Sequence, residues 1–137
     1  MISENTLIKT QSITVLVVGI MLLGLGAVTL YYPEIMERYG LGIATAEARI
    51  STRAIIGGGE IGLGILMLAG GTVGFSMRQR LIIATVLFCS LVSVRLIAIV
   101  LEDDEQLAPI VYRELAVEII IAAALLTILA LCRKRRG

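Results

Sequence analysis

Three apolar segments of the chain each carry ionisable side chains. Glu60 lies in one segment, Arg95 in the next, and Glu114 and Glu118 lie one helical turn apart in the last. A charge at the centre of a bilayer costs about 2.5 kcal/mol or more, so such residues usually pair with one another or line a polar site. One guanidinium can bind two carboxylates through its forked donors. The sequence therefore predicts a buried polar cluster centred on Arg95.

Arg53 joins this candidate cluster, because Arg53, Gly57 and Glu60 follow the i, i+4, i+7 spacing of one helix face. Two interpretations stay open: an ion network that fixes how the helices pack, or a polar site that holds a small ligand or moves protons. A contact with the transmembrane helix of another protein is a third. Catalysis is the weakest interpretation, because no nucleophile, metal cluster or cofactor motif accompanies the carboxylates. We therefore predict a non-enzymatic protein without catalytic, metal-binding or cofactor-binding residues.

Long apolar runs must position these charges. The chain has 137 residues, of which 58% are hydrophobic, and a mean hydropathy of +0.96. The apolar residues are concentrated in four runs, each near the roughly 20 residues that a helix needs to cross a bilayer. Polar and apolar residues do not alternate in these runs as they would in a barrel strand. The sequence predicts an all-α polytopic membrane protein, a single four-transmembrane-helix bundle over residues 1–137. Its predicted spans are 12–31, 54–77, 81–101 and 107–131.

The connections carry turn and cap signals. Pro33 to Gly40 begins with proline and ends with glycine, which predicts a short helix lying in the membrane interface in the first outer loop. Thr45 can cap an early start of the second helix. Residues 77–80 are predicted to form a tight connection, and Pro109 can open the fourth helix.

Glycine is concentrated in the second helix. Small residues four apart let another helix backbone approach closely in a membrane. Together with glycines in the first helix, the spacing predicts close packing of helices one and two, and a homodimer face is the alternative. The predicted packing pairs are Gly58 with Gly62 and Gly70 with Gly74.

Charge distribution predicts the orientation and excludes one class of partner. The formal net charge of +1 gives no support for binding nucleic acid. Seven of the twelve Lys and Arg residues fall on one side of four alternating helices, and the positive-inside rule makes that side cytoplasmic. Both termini are then cytoplasmic, and the basic tail is an anchor near anionic lipid. That anchor comprises Arg133, Lys134, Arg135 and Arg136.

The order of these features resembles a known family. An apolar helix and a Tyr/Pro loop precede Arg53-Ala-Ile-Ile-Gly-Gly-Gly-Glu-Ile-Gly-Leu-Gly, Arg95 follows late in helix three, and Glu114-Leu-Ala-Val-Glu118 comes early in helix four. The chain resembles a bacterial family of small four-helix integral membrane proteins of unknown function, which is distantly similar to DoxX-like proteins. The resemblance implies a bacterial inner membrane, a four-helix bundle and no enzyme activity.

Two functions are compatible with these features. The first is an accessory or assembly subunit of a larger membrane complex, since some DoxX-like proteins resemble accessory subunits of quinone-linked oxidoreductases. The alternative is a membrane-embedded protein that binds or transports a small amphiphile, a quinone or a lipid. Its pocket would lie in the outer half near Glu60, Arg95 and Glu118. The predicted partners are the lipid bilayer and other membrane subunits, and a homo-oligomer stays open.

Overall fold

The chain is all-α, with four helices long and apolar enough to cross a membrane. The computed structural model describes residues 4–102 and 109–134. Helix α1 covers Glu4–Tyr31, α2 covers Ala46–Val73, α3 covers Met77–Glu102 and α4 covers Pro109–Lys134. No strand occurs within those described ranges. The predicted fold class is confirmed, and the four helices fit a multi-pass membrane protein.

The chain divides into two compact units. The α3–α4 unit comprises the chain up to Thr14 and from Met77 onward, and the α1–α2 unit runs from Val15 to Ser76. Helix α1 contributes its first turns to the former and the remainder to the latter. Each unit positions a different part of the predicted polar cluster.

Glycines bring two helix backbones together in the α1–α2 unit. A β-carbon added at Gly26 of α1 would lie 2.7 Å from the carbonyl oxygen of Gly57, and one added at Gly64 would lie 2.9 Å from the amide nitrogen of Leu23. Ordinary carbon contacts need roughly 3.5–4.0 Å, so only glycine fits at these points. The predicted close packing of helices one and two is confirmed.

The α2 glycines that make this contact, Gly57 and Gly64, belong to neither predicted pair. The close approach on α2 uses Gly57 and Gly64, whereas a β-carbon at Gly62 would meet nothing within 4 Å and one at Gly58 would meet only its own helix. Gly74 has φ +92° and ends α2 instead of packing against α1. Residues seven apart share a helix face as closely as residues four apart, so spacing alone did not distinguish the two faces.

Helix α2 begins where the threonine cap predicts. The Thr45 hydroxyl accepts a hydrogen bond from the amide of Ala48 at 3.1 Å, and the helix starts at Ala46. This satisfies one of the free amides of the first turn. The helix is regular to Thr52, forms a π turn over Arg53–Gly57, and resumes as an α-helix at Gly58. The helix start at Ala46 confirms the early start predicted from Thr45, which lies before the predicted span of 54–77.

Two glycines with positive φ end the helical segments around α2. The loop helix, Pro33–Tyr39, is a 3-10 helix that stops at Gly40, where φ is +78°. After α2, the amide of Phe75 donates to the carbonyl of Gly70 at 2.9 Å, which closes the helix end around Gly74.

The prediction of a connection over 77–80 is wrong, because these residues form the first turn of α3.

Helices α3 and α4 pack together in the other unit. Their buried residues recur at helical spacing: Leu81, Ala84, Thr85 and Phe88 on α3, and Glu118, Ala122, Leu125 and Cys132 on α4. Near the end of α4, the side-chain amide of Gln11 donates to the sulfur of Cys132. Among the buried residues of α4, Glu118 carries a carboxylate.

Candidate functional site

Arg95 and Glu118 form a forked ion pair between α3 and α4. Arg95 Nε donates to Glu118 Oε2 at 2.8 Å, and Arg95 Nη2 donates to Glu118 Oε1 at 2.6 Å. The side chain of Arg95 is 28% exposed and that of Glu118 is 11% exposed. Two parallel charge-assisted bonds fix the relative orientation of the groups as well as their distance. The pair therefore neutralises Glu118 and specifies how α3 and α4 meet.

Glu114 has a weaker ion pair of its own. It accepts from Nη2 of the adjacent Arg113 at 3.4 Å, and the Arg113 side chain is 71% exposed. Exposed pairs of this kind contribute about 0–1 kcal/mol because water and side-chain entropy offset the attraction. The spacing of Glu114 and Glu118 predicted that both carboxylates face Arg95. In the structure, Nε and Nη2 of Arg95 both donate to Glu118.

Glu60 lies in the α1–α2 unit, where its partner is a hydroxyl. Thr29 Oγ1 lies 3.4 Å from Glu60 Oε2 and 3.1 Å from the carbonyl oxygen of Leu25. A hydroxyl has one proton, so the two acceptors share it. Thr29 is 1% exposed and Glu60 is half-buried. Thr29 was not predicted as part of the cluster, although it is a polar residue within the first predicted span.

Arg53 binds the end of α1. Its Nε donates to the carbonyl oxygen of Leu30 at 2.9 Å, one residue before α1 ends at Tyr31. The last carbonyls of a helix lack partners within the helix, and a cation there also stabilises the negative end of the helix dipole. Arg53 therefore acts as a C-terminal cap for α1 in this unit.

A π turn explains why the predicted spacing does not hold for Arg53. The i, i+4, i+7 rule assumes a regular α-helix from Arg53 to Glu60, but Arg53–Gly57 is π-helical. A π turn contains more residues than an α-helical turn, so the side chains before it are rotated about the helix axis relative to those after it. Arg53 and Glu60 consequently have different partners.

Among the residues that the structure describes, Arg95 and Glu118 of the predicted cluster form an ion pair. Arg53 and Glu60 belong to the other compact unit, so their joining Arg95 in one cluster stays a prediction. The predicted cytoplasmic anchor lies partly beyond the structure: α4 ends at Lys134, and Arg135 and Arg136 lie outside the described residues.

Comparisons with known proteins identify no relative of this chain, so a function must be inferred from the geometry of its polar residues. No protein-family model, no curated protein and no solved structure matches the chain. Over residues 4–102 and 109–134, no three His, Cys, Asp or Glu side chains come close enough to hold a metal ion. Two polar features of the described helices remain as candidates for a function: the Arg95–Glu118 ion pair and the Glu60 carboxyl bonded to Thr29.

The Arg53 cap gives a first prediction. Replacing Arg53 with leucine should lower the free energy of unfolding by about 1 kcal/mol, because the last turn of α1 loses its cation and a donor to Leu30. Unfolding of the protein in detergent, followed by circular dichroism, measures this. Lysine at position 53 should recover part of the loss. Arg38→Leu, at an exposed position on the loop helix, is the control. Equal losses in both leucine variants would contradict the cap.

Proposed function

We propose that the protein is a non-enzymatic accessory or assembly subunit of a larger membrane complex. The observation that carries this proposal is an exposed row of mostly small residues on α4. This α4 seam comprises Ala116, Ile120, Ala123, Thr127 and Ala130, all of which are exposed. Their alternating spacing of four and three residues keeps them on one side of the helix.

The seam lies opposite the buried face of α4. At about 100° per residue, Glu118, Ala122 and Leu125 point roughly 180–240° away from Ala116. A helix surface that meets only lipid tails does not need small residues, whereas a surface that meets another helix uses them for close approach. The seam therefore suits a transmembrane helix of a partner subunit.

A charged side chain stands at the outer end of this seam. Arg113 lies one turn before Ala116 on nearly the same side of α4, and its side chain is 71% exposed. Two copies of this chain meeting in parallel along the seam would bring two Arg113 side chains together, and like charges oppose such contacts. A different protein with an acidic group at this level fits better than a second copy.

The test is the composition of assemblies extracted gently from the native membrane. We expect native mass spectrometry to show the chain in a larger assembly, and deletion of the chain to lower the yield of that complex. Ala123→Leu should weaken the association several-fold, because the seam no longer admits a close helix. Ala98→Leu, the same change at an exposed position on α3, should leave it intact. Normal assembly of the complex without the chain would contradict the proposal.

A second candidate function is binding or transport of a small amphiphile, such as a quinone or a lipid. Glu60 favours it, because among residues 4–102 and 109–134 the hydrogen-bond partner of this half-buried carboxyl is Thr29, at a long distance of 3.4 Å. Ionisable residues at membrane depth commonly mark ligand or ion sites. The Arg95–Glu118 pair is not needed for this function, since each group already neutralises the other.

The proposed location is a bacterial inner membrane with both termini in the cytoplasm. The support is the distribution of Lys and Arg, seven of twelve on one side of the four helices, together with the resemblance to small bacterial membrane proteins. An accessory subunit in that membrane would present the α4 seam to its partner within the bilayer.

A further inference from the structure

Glu60 is a carboxyl without a counter-charge from its own unit. Within Val15–Ser76, all of which the structure describes, the basic residues are Arg38, Arg49 and Arg53. Arg53 donates to Leu30, Arg49 donates to the carbonyls of Ile43 and Ala44, and Arg38 is exposed on the loop helix. The carboxyl of Glu60 is therefore left with the Thr29 hydroxyl at 3.4 Å.

Glu60 lies beside the close contact between α1 and α2. Gly57 and Gly64, one turn to either side of Glu60, are buried against the backbone of α1. These contacts hold Glu60 and Thr29 on two backbones that cannot separate without losing the glycine packing. The π turn ends at Gly57, one turn before Glu60, and turns of this kind often occur at functional sites.

We infer that Glu60, supported by Thr29, binds the charged centre of a lipophilic organic cation at membrane depth. A carboxylate in an apolar setting attracts positive charge strongly, because little water screens it. An organic cation needs only one anion and apolar walls, and it brings its own apolar groups for the remaining contacts. The expected ligands are amphiphilic ammonium or phosphonium compounds.

Other ligand classes fit this pair of residues less well. Calcium and magnesium need about six oxygen ligands, whereas Glu60 and Thr29 supply one carboxyl and one hydroxyl. A lipid phosphate is an anion and would be repelled by the carboxylate. The oxygens of a quinone are acceptors, like those of the carboxylate, and only the shared Thr29 proton could bond them. The inference thus names the ligand class for the binding function, on which it rests, and is independent of the accessory role.

The experiment measures binding of tetraphenylphosphonium to the purified full chain in nanodiscs. Equilibrium dialysis is carried out with this cation and, in parallel, with tetraphenylborate, an anion of similar size and hydrophobicity. The comparison distinguishes a charge-specific site from partition into lipid. We expect saturable binding of the cation only, with Glu60→Gln weakening it at least about tenfold. Glu47→Gln removes the same charge from an exposed position on α2 and should leave binding unchanged.

Glu60→Asp keeps the charge and guards against a fold defect, since it should retain measurable binding. Circular dichroism shows whether each variant is folded. Absence of saturable cation binding by the folded wild type would overturn the inference, as would equal binding by Glu60→Gln. If the cation fails to bind but a native lipid or quinone co-purifies with the wild type and is lost in Glu60→Gln, the binding function stands and only the ligand class is wrong.

Discussion

Replacing Arg95 with leucine is expected to destabilise the α3–α4 unit by about 3 kcal/mol, because it leaves Glu118 buried without a counter-charge. Removal of one partner from a buried ion pair costs more than the pair contributes, since the remaining charge keeps its desolvation penalty. Unfolding in detergent, monitored by circular dichroism, measures the change. Failure of the Arg95→Leu variant to fold would assign the pair a structural role.

The double variant Arg95→Leu with Glu118→Leu distinguishes this explanation from a loss of arginine packing. Replacing both partners with apolar residues removes both charges, so most of the stability should return. The difference between the double variant and the sum of the single variants gives the coupling energy of the pair. Arg113→Leu is the control, because its exposed pair with Glu114 should contribute less than about 1 kcal/mol. No recovery in the double variant would contradict the argument.

Adding one methyl group at Gly26 is expected to separate α1 from α2. A β-carbon there would lie 2.7 Å from the carbonyl oxygen of Gly57 and 2.8 Å from the amide nitrogen of Ile61. Both are backbone atoms, so no side-chain rotation relieves the overlap and the helices must move. We expect Gly26→Ala to cost about 2–3 kcal/mol of unfolding free energy, the upper part of the range for overpacking.

Two matched pairs of glycine variants, one on each helix, test this prediction. Gly24 lies on the same helix, two residues away, and a β-carbon added there would meet nothing within 4 Å. Gly24→Ala should therefore be neutral or slightly stabilising, because alanine favours a helix over glycine by about 1 kcal/mol. On α2, Gly64→Ala should destabilise and Gly62→Ala should not. Similar effects at Gly24 and Gly26 would show that the α1–α2 contact is looser than described.

Local sequence was sufficient for the helices and several of their ends. The apolar runs predicted four membrane-length helices, Thr45 predicted the start of α2, and Pro109 predicted the start of α4. These features depend on residues close together in the chain, where hydropathy, capping and proline geometry act directly. The end of α2 was misplaced because glycine occurs throughout the helix, and only its φ at Gly74 shows which one stops it.

The candidate site was predicted by residue type but only partly by partner. The contact between Arg95 and Glu118 was expected, because the rise per residue puts both side chains in the same part of the two helices. The partner of Arg53 was not predictable, because the π turn changes the rotation of one part of α2 relative to the other. Thr29 gave no signal as a partner of Glu60, since 31 residues separate them in the chain.

Sequence alone was sufficient to predict an all-α chain with four membrane-length helices that carry ionisable side chains. Those properties follow from transfer free energies and helical rise, which need no knowledge of neighbours. The tertiary structure alone decided that Gly57 and Gly64 form the close contact, and that Arg95 neutralises Glu118 while Arg53 caps α1. These contacts depend on how each helix is rotated and on atoms that are distant in sequence. Adjacent residues on a helix point about 100° apart, so a shift of one residue is enough to exchange one partner for another.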